Sequence, residues 1–111
     1  LGDVYKRQTV ACIHNSLADM ERELNIMVDN GCTVLDVVIE HAVYGQLTGE
    51  LRLTSRHDVR QFIGRITAEQ APPLSTLTGG IHLHTLLWPS DEVYERTVRE
   101  LDAAGILFVK N

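Results

Sequence analysis

The run Gly79-Gly80-Ile81-His82-Leu83-His84-Thr85-Leu86-Leu87 narrows the folds open to this chain more than any other stretch. A Gly-Gly turn followed by apolar and β-branched residues reads as a strand. Strand side chains alternate between faces, so His82 and His84 share one side and Ile81 and Leu83 the other. The histidine Cα atoms then lie roughly 6.5–7 Å apart, a gap that two imidazoles can close on one cation. Two histidines in a row on a sheet face either meet water or bind something, because burying polar groups without partners is unfavourable. The expectation is therefore a core on the Ile81 and Leu83 face and a site, or solvent, on the histidine face. Histidine is the commonest protein metal ligand, but a site takes three or four ligands and this strand supplies two.

The other elements fall around that strand. Thr9–Ile13 is a short β-compatible run that closes at His14-Asn15. Ser16 is placed to cap a helix, with Asp19 at the third position after it. Leu17, Met20, Leu24, Met27 and Val28 form the apolar row of that helix, Glu23 lies at the row's edge, and Asn30-Gly31 ends it. Thr33–Glu40 is rich in β-branched residues and reads as a strand. Simple alternation puts Leu35, Val37, Ile39 and His41 on one face, with Val34, Asp36, Val38 and Glu40 on the other. After a turn at Gly45, Leu47, Gly49, Leu51 and Leu53 alternate with polar residues, which predicts an antiparallel partner for the preceding strand. Ser55 and Asp58 open a second helix through Val59, Phe62, Ile63 and Ile66, with His57 exposed in its first turn; Pro72-Pro73 stop it. Ser90 opens a third, with Asp91 and Glu92 at its positive end and Tyr94, Val98 and Leu101 as its apolar row. Gly105 ends that helix, and Ile106–Val109 reads as a last strand. The order β-α-β-β-α-β-α-β predicts an α+β fold, a mostly antiparallel sheet with helices on one face. Its first six elements match the split β-α-β arrangement of ferredoxin-like cores.

Composition closes off several function classes. The chain has 111 residues, 44% apolar and 23% charged, enough for one domain with one core. A net charge of −5 gives no basic footprint for nucleic acid. Cys12 and Cys32 are too few for a disulfide scaffold and lack the paired spacing of a zinc knuckle, so they read as small core residues in a reduced, cytoplasmic setting. No apolar run approaches the roughly 20 residues that span a bilayer. Nucleophile-elbow, P-loop and dinucleotide fingerprints are absent from the sequence. Residues 1–8, which begin without Met, read as a non-native or unstructured head, which leaves 9–110 as the domain.

His14 sits where the first strand hands over to the first helix, about two turns ahead of Glu23. If this segment runs beside the histidine strand, His14, Glu23, His82 and His84 close a mixed nitrogen and oxygen site. Such a set suits a divalent transition metal such as zinc, nickel, manganese or iron.

Several blocks, in order, resemble the 3H domain. They are Val28-Asp29-Asn30-Gly31, Leu35-Asp36-Val37, Glu40-His41-Ala42-Val43-Tyr44-Gly45, Ser55-Arg56-His57-Asp58-Val59 and Leu77-Thr78-Gly79-Gly80-Ile81-His82-Leu83-His84-Thr85. The resemblance covers about residues 9–110, and the three histidines for which the domain is named would be His41, His82 and His84. It implies the regulatory half of a niacin-responsive transcription repressor of NAD biosynthesis. That half would be a non-catalytic homodimer that senses nicotinic acid or a related small carboxylate. DNA would be reached only through a winged helix-turn-helix lying N-terminal to this chain. The implied metal, nickel or zinc foremost, would be held by His82, His84, the Glu of a Glu-Leu pair in the first helix (Glu23) and a histidine eight residues before it. Asn15 occupies that last position, and its neighbour His14 is taken as the stand-in. His41, with Tyr44 and Arg56, is expected to line the effector pocket. The alternatives are a small metal-dependent hydrolase with Glu23 or Glu40 as base, or a stand-alone metal- or niacin-binding module.

Overall fold

The computed structural model describes residues 6–108. Four strands, β1 (Lys6–Ile13), β2 (Thr33–His41), β3 (Gly45–Leu53) and β4 (Ile81–Trp88), form one sheet in the order β1-β4-β2-β3. Every pairing is antiparallel. Both β-α-β units are split by a strand: β1 and β2 flank β4, and β3 and β4 flank β2. The helices are α1 (Leu17–Asp29), α2 (Arg56–Glu69) and α3 (Asp91–Ala103), with a 3-10 turn at Leu74–Thr78. The α+β class and the antiparallel sheet are as the sequence predicts. No helix among the described residues is long and apolar enough to cross a membrane.

Each helix starts where its serine can take an orphaned backbone donor. Ser16, Ser55 and Ser90 accept from the N–H groups of Asp19, Asp58 and Val93. Helix α1 ends at Asn30, after which Gly31 takes φ +96°, a conformation a Cβ disfavours. The α1 and α2 ends are tied by Arg56, which donates Nε and Nη2 to the Asp29 carboxylate at 2.9 and 2.6 Å.

The core lies between the helices and one sheet face, where Val10, Cys12, Val34, Leu53, Leu86 and Trp88 meet Leu24, Met27, Val59 and Leu101. This face is the histidine face. His82 and His84 are buried in the same row of β4 as Leu86 and Trp88, while Ile81 on the opposite side is 40% exposed. The expected assignment of the two β4 faces is thus reversed. The helices cover the row that carries Leu86 and Trp88, and the histidines are carried inside with them.

A second departure lies in β2. Val34 pairs with Leu86 and Asp36 with Thr85, so Leu35 is an extra residue, a β-bulge. Val34 therefore faces the core with Val37, not the opposite side as alternation predicts. The last predicted strand is reduced to a bridge between Leu107 and Cys12, supported by Phe108 N–H on Ala11 O and Ile13 N–H on Ile106 O; Val109 lies outside the described residues. Of the proposed head, residues 1–5 also lie outside them, whereas Lys6–Gln8 continue β1 in register with Trp88–Leu86.

Candidate metal centre and its cavity

Helix α1 crosses the histidine face and buries Glu23 completely. A lone carboxylate there would be strongly disfavoured. Three imidazoles surround it. His82 Nε2 lies 3.0 and 2.9 Å from the two carboxylate oxygens, His14 Nε2 lies 2.7 Å from Oε2, and His84 Nε2 makes a short contact with Oε1. His14 reaches in from the end of β1, so β4 and the β1–α1 connection converge on one α1 side chain. Histidine rings stack edge-on around the centre, 4.6 Å between His14 and His82 and 4.9 Å between His82 and His84.

The far nitrogens of the β4 rings are fixed. His82 Nδ1 lies 2.8 Å from Gly80 O, and His84 Nδ1 lies 2.8 Å from Asp36 O. A carbonyl oxygen only accepts, so both Nδ1 atoms carry hydrogen and Nε2 is the atom each ring turns to the centre, free to offer its lone pair to a cation once its own proton is gone. This is the tautomer that metal-bound histidines adopt, with the outer N–H held by a backbone carbonyl. The β2 bulge aims the Asp36 carbonyl at His84, and the Asp36 side chain takes the Thr85 N–H at 3.1 Å. Gly80 O serves twice, accepting His82 Nδ1–H and His14 N–H. His14 Nε2 is buried and, though close to Glu23, is off the hydrogen-bond line and has no partner. An orphaned ring nitrogen, two neighbours with the ligand tautomer and one buried carboxylate fit a divalent cation.

Electrostatics tell the same story. Burial alone would raise the Glu23 pKa, but the charge of His84 and the contacts of His14, His82 and His84 outweigh it and hold the carboxyl well below its usual range. Burial would lower that of His82, yet its bond to Glu23 and the carboxylate charge raise it.

Cys12, read from sequence as a core residue, borders the site as well. It pairs with His82 across β1 and β4. Donor atoms of Cys12, Glu23 and His82 all lie within 4.8 Å of one another, and all three side chains are buried. Burial, then the nearby Glu23 charge, pushes the thiol pKa up. The signal for it was present, since Cys12 stands two residues before His14 and strand alternation continued past Ile13 puts the two on one side.

An apolar cavity of about 500 Å³ opens from this centre. Glu23, His82 and His84 form its polar end, and Met20, Val37, Leu47, Leu51, Phe62, Ile66 and Leu74 its walls. It exists because α2 is only half-buried, standing against α1 over β3, and because Gly49 of β3 presents no side chain to it. The residues expected to line an effector pocket do not border this cavity. His41 Nδ1 accepts the N–H groups of Val43 and Tyr44 at 3.1 Å, which closes the β2–β3 turn. Tyr44 stacks on His41 and is 75% exposed. Arg56 is engaged with Asp29.

A family model for the 3H domain matches residues 7–110. The chain belongs to the 3H domain family. It is 44% identical over 98 residues to the transcription repressor NadR of Bacillus subtilis, covering 88% of this chain and 54% of that protein. It is 36% identical over 98 residues to the probable transcription repressor NiaR of Thermotoga maritima, covering 88% of this chain and 56% of that protein. This 3H domain thus spans about half the length of the curated relatives it matches.

Proposed function

We propose that this 3H domain is the metal-loaded, effector-sensing part of a transcription repressor of NAD biosynthesis, responsive to nicotinic acid, and that it is not an enzyme. The observation that carries the reading is the buried His14, Glu23, His82 and His84 cluster opening onto the apolar cavity. Those four residues would hold a divalent transition metal, nickel or zinc first. When bound, the metal would offer a Lewis-acid position to a carboxylate at the polar end of the cavity. The aromatic ring of the effector would lie between Leu47, Leu51, Phe62 and Ile66. A small planar acid suits a site with one polar end and apolar walls.

The relatives named as transcription repressors support the regulatory reading, and a winged helix-turn-helix in the longer protein would supply the DNA contact. Signal transfer requires the effector to prefer one arrangement of a homodimer over another. The uncovered sheet face, with Ala11, Ile13, Leu83 and Leu87 only half-buried and Ile81 exposed, favours a second copy as the partner. Calorimetric titration of nicotinate into metal-loaded protein tests the reading. We expect saturable binding that disappears in the double variant His82→Ala/His84→Ala. Metal uptake by the wild type with no heat from nicotinate would overturn the sensor assignment.

A further inference from the structure

We propose that Cys12 is an additional ligand of this centre, so that the metal is held by a thiolate as well as by imidazoles and a carboxylate. The inference rests on the metal reading above and goes beyond the four residues named there. Its basis is the packing of β1 against β4. Cys12 faces His82 directly across the two strands, is fully buried, and brings its sulfur within 4.8 Å of donor atoms of both Glu23 and His82. Two residues on, just past the end of β1, His14 brings a buried Nε2 that makes no hydrogen bond to 2.7 Å from the same Glu23 carboxylate. Cys12 does not border the apolar cavity, whereas Glu23, His82 and His84 do. The thiol therefore approaches from the closed side and leaves the cavity side for an effector.

Charge supports the assignment. Anionic ligands offset the charge of a buried divalent ion, and Glu23 supplies one. A Cys12 thiolate supplies the second, its proton passing to solvent as the sulfur–metal bond forms. A sulfur donor also selects metals: it favours zinc, nickel or cobalt over magnesium or manganese.

The test is spectroscopic. Metal-free protein is loaded with Co(II), and its visible ligand-field bands and near-ultraviolet thiolate-to-cobalt charge-transfer band are recorded. We expect both in the wild type and in Cys32→Ser, and only the visible bands in Cys12→Ser. Should Cys12→Ser fail to fold, X-ray absorption of the zinc-loaded wild type decides, with a sulfur neighbour expected at about 2.3 Å. Bound cobalt without the charge-transfer band, or zinc with nitrogen and oxygen neighbours alone, overturns the Cys12 assignment and leaves the four-residue site standing. Absence of metal uptake overturns both.

Discussion

Gly80 shows how little room the site leaves. Its φ is +97°, and a Cβ there would run into the His14 carbonyl and the Asn15 side chain. Fixed backbone as well as a side chain blocks the way, and the same peptide anchors His82 and His14 through Gly80 O. Gly80→Ala should cost about 1–3 kcal/mol through the strained conformation, and should weaken metal uptake as well. Denaturant midpoints with and without metal will show whether the two losses occur together. Gly49 offers the complementary case. A Cβ at Gly49 would sit 3.4 Å from Val37 Cγ1, so the strand tolerates one, but a branched side chain would fill cavity space. Gly49→Val should abolish nicotinate binding while cobalt or zinc uptake persists, measured by paired titrations of the two ligands.

At the scale of elements, the buried cluster and the serine caps divide the work of folding. Ser16→Ala removes the side-chain acceptor for the Asp19 N–H and should lower stability by about 1 kcal/mol, as measured by urea denaturation. Glu23 lies well inside α1, so metal uptake should survive this change. The β1, α1 and β4 segments are also coupled through protons when metal is absent. Glu23 has a folded pKa below its ordinary 4.5, so its stabilising contribution is present above that value and lost as pH falls through the folded pKa. His82 has a folded pKa above its ordinary 6.5, so its contribution is full below 6.5 and lost as pH rises through the folded pKa. The metal-free domain should therefore show its highest urea midpoint between pH 4.5 and 6.5 and a decline on the alkaline side. Metal-loaded protein should keep its midpoint there, because the cation replaces the protons. A metal-free midpoint that climbs from pH 6.5 to 8 would contradict the pairing of His82 with Glu23.

Among the described residues, one face of the sheet lies under three helices and the other carries none. The open face carries Ile81, Leu83 and Leu87 on β4 beside Ala11 and Ile13 on β1, and none of them lines the cavity. Leu83→Glu should shift the proposed dimer to monomer in sedimentation without removing metal uptake. A variant that stays dimeric would move the interface elsewhere.

Local chemistry was legible in the chain itself. Caps at Ser16, Ser55 and Ser90, the α1 ending at Asn30-Gly31, and the pairing of His82 with His84 depend on neighbours a few residues away. So did the candidacy of His14 and Glu23, through the family pattern. Other features depend on contacts between distant segments, which no local pattern encodes. The helices cover the histidine face of β4, where Leu86 and Trp88 stand in the same row. The bulge at Leu35 moved Val34 into the core and aimed the Asp36 carbonyl at His84, where alternation gave no sign of it. His41, Tyr44 and Arg56 were drawn to a turn and to a surface ion pair, because nearby backbone donors and Asp29 satisfy them first. Sequence alone determined most of the elements and the side-chain types of the buried cluster. Tertiary packing decided which side of the sheet is dry, and so whether those side chains face water or one another.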